Sequence, residues 1–85
     1  MNFKLKRHWL LLMRESKGFT RQQMATSLGI SGSHYSNIEN GYSGIRGQLI
    51  ADHYSKLAVI FDVPLTDIHQ MEHNYLIIAK KQLIK

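Results

Sequence analysis

At 85 residues, 44% hydrophobic and 20% charged, the chain has the balance of one soluble globular domain, with a core too small to divide in two. The absence of cysteine excludes a disulfide framework and a thiolate zinc site, so packing alone must hold the fold, as suits a reducing cytoplasm. The formal net charge of +5 lies at the two ends, which fits either a polyanion partner or plain solubilising charge.

Lys4, Lys6, Arg7, Arg14, Lys17 and Arg21 outweigh Glu15 at the start, and Lys80, Lys81 and Lys85 close the chain. Between them Arg46 and Lys56 face Glu39, Asp52, Asp62, Asp67 and Glu72. The apolar run from Trp9 to Met13 follows basic residues, but Arg14 and Glu15 interrupt it too soon for a secretory signal. No stretch is apolar for long enough to span a membrane.

Leu5 to Lys17 contains no helix breaker and sets Leu5, Trp9, Leu12, Met13 and Ser16 at three- and four-residue steps, predicting a first helix that Gly18 closes. Thr20 and Gln23 have the spacing of a capping box, and Phe19 and Met24 that of a hydrophobic staple, so a second helix starts at Thr20. Leu28 and Gly29 stop it. Ser31 is a natural cap for a third helix, with Ile30 and Tyr35 at the staple positions, running towards Asn40 and Gly41.

Residues 42–48, YSGIRGQ, have two glycines and no apolar period, and read as a loop. Ile50, Tyr54, Leu57, Ala58 and Phe61 mark the buried stripe of a fourth helix. Pro64 halts it and suits the start of a short fifth helix carrying Leu65 and Ile68. Beyond it Met71, Tyr75, Ile78 and Leu83 either extend or follow that helix. The expected architecture is all-α: five helices in a compact domain over residues 1–68, with a short helical C-terminal extension over 69–85.

Two short capped helices around a tight turn make a helix-turn-helix, a connection that also occurs in proteins that never touch DNA. On the third helix Tyr35 and Ile38 face the core. The opposite surface then carries Gly32, Ser33, Ser36, Asn37 and Asn40. Such short polar side chains suit a major groove, where asparagine pairs with adenine through two hydrogen bonds and glycine permits close approach. An ordinary solvent face has the same polarity, but the strip lies on the second helix of the pair, the one that enters the groove.

The stretch FTRQQMATSLGISGSHYSNIENG resembles the Cro and phage-repressor class of helix-turn-helix proteins, also called the xenobiotic-response-element type. The likeness rests on Gly18, Thr20, Ala25, Leu28, Gly29, Ser31, Ser33, Ile38, Glu39, Asn40 and Gly41, and continues through LAVIFDVPLTDI. The resemblance implies a repressor-like fold. It also implies base reading by Gly32, Ser33, Ser36 and Asn37, backbone contacts from Arg21 and Asn40, and a structural ion pair between Arg14 and Glu39. Arg21 stands where the family usually has glutamine, and Gly32 where it often has a long polar reader, so base preference does not transfer.

The third helix has no lysine or arginine, so affinity must come from elsewhere. Arg21, Arg46, Lys56, Lys4, Lys6 and Arg7, with the amides that open the second and third helices, are the candidate phosphate contacts. Arg46 is equally an ordinary exposed arginine. His34 is a further candidate near the groove edge, although a neutral role beside the Ser31 cap suits it better.

His69 to His73, HQMEH, matches the pattern of certain zinc peptidases, but surface histidines are the better account in a bundle with no room for a cleft. No enzyme activity, cofactor, metal or small-molecule ligand is expected. The expected function is sequence-specific binding of double-stranded DNA in the cytoplasm of a bacterium or as part of a mobile element, with repression by occupying an operator. Tyr75, Leu76, Ile78 and Leu83 either join two copies in a homodimer or fold back on Trp9 and Leu12. A protein-binding module, such as an antitoxin or anti-repressor using this apolar tail, is the alternative.

Overall fold

The computed structural model describes residues 5–41 and 53–84. Among them are five helices and no strand: α1 (His8–Ser16), α2 (Arg21–Leu28), α3 (Gly32–Asn40), α4 (Tyr54–Phe61) and α5 (Leu65–Ile84). The loop expected at 42–48, with Arg46, lies outside the described residues, as does Ile50.

Local chemistry accounts for the central helix boundaries. The Thr20 hydroxyl accepts from the Gln23 amide at 3.1 Å while the Thr20 amide donates to Gln23 Oε1 at 2.8 Å, completing the capping box. At α3 the Ser31 hydroxyl accepts from the His34 amide at 3.0 Å. Gly29 and Gly41 close α2 and α3 at φ of 73° and 85°, left-handed conformations that cost glycine little.

Two boundaries differ from the sequence expectation. Helix α1 begins at His8 rather than Leu5, because the Arg7 backbone leaves the helical region and its amide donates instead to Glu39 O at 2.8 Å. The fifth helix is not short. It runs unbroken through residues 68 and 69 to Ile84, about 30 Å at the rise of an α-helix. Pro64 precedes its first turn, where the missing amide costs nothing, and no further breaker follows.

The core comprises Leu10, Met24, Ala25, Leu28, Tyr35, Ile38, Leu57, Phe61 and Ile68, bordered by Trp9, Met13, Phe19, Ile30 and Met71. Fully burying a large aliphatic or aromatic side chain contributes about 1.5–3 kcal/mol before chain entropy is set against it. Helix α2 packs on α3, α4 on α5, and α1 bridges α3 and α5.

A second, smaller cluster decides the course of the C-terminal half of α5. Tyr75 and Ala79 are buried with Leu5, Trp9 and Leu76 around them, and the Tyr75 hydroxyl donates to Leu5 O at 2.8 Å. Tyr75 therefore belongs to the interior of its own chain, which is the fold-back of the two alternatives that the sequence leaves open for it. Ile77 and Ile78 remain exposed, whereas the Leu83 side chain lies outside the described residues.

Candidate nucleic-acid interface

Three periodic positions on α3 face inwards: Tyr35, Ile38 and Glu39 are buried. The helical repeat therefore turns Ser33 and Asn37 outwards, one turn apart, with Gly32, Ser36 and Asn40 half-buried along the same flank. His34 is also half-buried. The outward strip holds hydroxyls and a carboxamide, which are hydrogen-bonding groups of the kind that read base edges.

Glu39 is the one carboxylate on α3, and the fold removes it from that strip. Arg14 donates to it through Nε at 2.9 Å and Nη2 at 3.3 Å, and Arg21 through Nε at 3.1 Å. Burial pushes the Glu39 carboxyl up, but the hydrogen bonds from Arg14 and Arg21, with the Tyr35 hydroxyl nearby, outweigh it and hold it below its ordinary value. The hydrogen bond from Arg14 to Glu39 in turn raises the guanidinium pKa. Burial, followed by the neighbouring carboxylate, keeps the Tyr35 phenol protonated well above its usual range. The cluster is consequently charged on Glu39 and neutral on Tyr35, with the carboxylate enclosed away from the solvent.

Arg21 differs from Arg14 in being half exposed, at 49% of its side chain. Glu39 engages Nε, and the guanidinium has further N–H donors for an anion in the solvent. Arg21 thus occupies the first position of α2 beside amides that favour negative charge.

Arg7 corrects the list of phosphate contacts. Its side chain and that of Glu72 are each only 1% exposed, and Arg7 Nε and Nη2 both donate to Glu72 at 3.0 Å. Arg7 Nη1 also donates to Ile38 O at 2.6 Å, and the guanidinium lies 4.8 Å from the centre of the Tyr75 ring. Trp9 Nε1 donates to Glu72 at 3.2 Å. Arg7 is a buried strut joining the end of α3 to α5, and nothing in local spacing announces a pair 65 residues apart.

Lys56 is diverted in part as well, its Nζ lying 3.5 Å from Leu28 O at the end of α2. Lys6 is exposed, whereas Lys4 and Arg46 fall outside the described residues. The HQMEH pattern loses its chemical sense in this fold. Glu72 turns inwards to Arg7, the His69 and Tyr54 rings pack edge to face with centroids 4.6 Å apart, and no group of three or more side chains that could hold a metal ion occurs among the described residues.

Sequence reading missed one further neighbour of the strip. A methyl group at Gly32 would stand 2.7 Å from Gln22 Oε1, so the Gln22 side chain of α2 occupies the space beside the first residue of α3.

Two capped helices at a tight left-handed glycine turn, the second carrying an outward polar strip over a buried ion cluster, define a helix-turn-helix domain. A family model described as a helix-turn-helix domain matches residues 9–75, and the chain belongs to that family, which is of the Cro and xenobiotic-response-element type. The family makes DNA the partner class. No curated protein and no solved structure matches the chain. Among the described residues, no helix is long and apolar enough to cross a membrane.

Proposed function

We propose that this protein is a sequence-specific regulator that binds double-stranded DNA and represses transcription by occupying an operator, placing α3 in the major groove. The observation that carries this reading is the outward strip of Ser33, Ser36 and Asn37 on the second helix of the motif, with its only carboxylate buried against Arg14 and Arg21. Asn37 reads a base edge, Ser33 and Ser36 contribute adaptable hydrogen bonds, and Arg21, Asn40 and His34 meet the backbone on either side. Arg46 would add a backbone contact from the segment following α3. Repression in a bacterial or mobile-element cytoplasm is the setting that the family resemblance supports.

The protein acts as a homodimer in this reading. Ile78, 52% exposed, and Ile77 beside it form an apolar ridge on the last turns of α5. Leu76 is half-buried against Tyr75 and Ala79 and contributes at the margin. A protein-binding module would use the same ridge.

Selection of bound duplexes from a random library at near-physiological salt tests the function. An inverted repeat with half-site centres about 34 Å apart is the expected outcome for a symmetric dimer. Asn37→Ala should weaken the selected site by about 1–3 kcal/mol while leaving random duplex nearly unchanged. Equal losses on both would remove Asn37 from base reading, and no enrichment over random DNA would move the protein-binding module ahead.

A further inference from the structure

We infer that Gln22, on α2, is a specificity-determining residue that supplies the base-reading side chain Gly32 lacks at the start of α3. The inference rests on the DNA-binding reading above and extends the reading surface from one helix to two.

Residues at the N-terminal end of the groove-entering helix are the ones closest to base edges in this motif. Here that position is glycine, which has no side chain to offer. The place is nevertheless filled. The Gln22 carboxamide oxygen stands 2.7 Å from where a Gly32 Cβ would be, inside the contact distance that two such atoms tolerate. Glycine is what admits the carboxamide to that place. Gly32 does not have a positive φ, so backbone conformation places no demand for glycine there.

The rest of the Gln22 environment fits a reader rather than a structural residue. Its side chain is exposed, and its Nε2 has a long hydrogen bond of 3.4 Å to Thr26 Oγ1 one turn along α2. That bond sets the direction of the carboxamide without fully engaging either end. Glutamine offers one acceptor and two donors in a plane, and it matches the N7 acceptor and N6 donor of adenine through two hydrogen bonds. The ligand feature assigned to Gln22 is therefore an adenine edge in the major groove, at the step facing the start of α3. This step is separate from the one read by Asn37, more than one turn further along the helix.

The test uses the full chain and the duplex it selects, with every base pair of one half-site replaced in turn. Gln22→Ala should lower discrimination by fivefold or more, the equivalent of about 1 kcal/mol, at one or two adjacent base pairs, leaving those lost in Asn37→Ala intact. Gly32→Ala provides the independent arm. Its methyl displaces the flexible Gln22 tip, so the same base pairs should lose discrimination while the melting temperature holds or rises, as replacing a helical glycine predicts. The double variant should lose no more than either single one.

Unchanged discrimination in Gln22→Ala, or an equal loss on selected and random duplex, would overturn the inference while leaving the regulator reading in place. Additive losses in the double variant would overturn it too, by showing that the two residues act apart. A wild-type protein that selects no sequence at all would defeat both readings together.

Discussion

Two arginine–carboxylate clusters flank α3, and they differ in what their burial leaves free. At one side, Glu39 gathers Arg14 and the half-exposed Arg21, so part of the cluster still faces the solvent. At the far side, Arg7 and Glu72 are sealed from water together, with Ile38 O, Trp9 Nε1 and the Tyr75 ring completing their surroundings. The first cluster leaves one of its cations, Arg21, open to the solvent. The second fastens the end of α3 to the long C-terminal helix. Charge is thus fully enclosed on one side of the helix and partly open to the solvent on the other.

Breaking the sealed cluster should have the largest effect. Glu72→Ala leaves the Arg7 guanidinium buried without its carboxylate, and unfolding in urea should show a loss of about 3–5 kcal/mol. Pairing Arg7→Met with Glu72→Leu should restore most of that loss, because two apolar side chains carry no desolvation penalty. A double variant as unstable as Glu72→Ala would show that the bond to Ile38 O, rather than the ion pair, holds α3.

The open cluster should respond less strongly and with a pH signature. Glu39→Gln keeps the shape but removes the charge, and should cost about 1.5–3 kcal/mol at neutral pH. Its folded pKa lies below the ordinary value of 4.5, so its stabilisation is complete above that value and is lost as pH falls through the folded one. Thermal melts of the wild type should therefore decline on acidification more steeply than those of Glu39→Gln. Parallel curves would mean that the acid sensitivity resides elsewhere.

Arg21→Ala sharpens the comparison with the smallest structural effect. An exposed partner of an ion pair should change stability by less than about 1 kcal/mol. Its DNA affinity should nonetheless fall on selected and random duplex alike, with the logarithmic salt slope reduced by about one. A preserved slope would make Arg21 part of the Glu39 scaffold alone.

Legibility followed the distance along the chain over which each interaction closes. The boundaries of α2 and α3 were readable because Thr20 meets Gln23, and Ser31 meets the His34 amide, within three residues. The inward Tyr35 and Ile38, and hence the outward strip, follow from helical periodicity. The Arg14 and Glu39 contact was accessible only through likeness to a family, since 25 residues separate the pair. The Arg7 strut was misread as a phosphate contact because a basic residue near a terminus has the appearance of solvent charge.

The sequence by itself determined where α2 and α3 start and stop and which face of α3 is apolar, since caps and periodicity are satisfied by neighbours a few bonds away. Only the tertiary structure decided that α5 continues as one helix, that Tyr75 turns inwards, and which arginines are enclosed. It also brought Gln22 beside Gly32. Those outcomes depend on chain closure over tens of residues, where the burial of one charge is tolerable only if a distant segment delivers its partner.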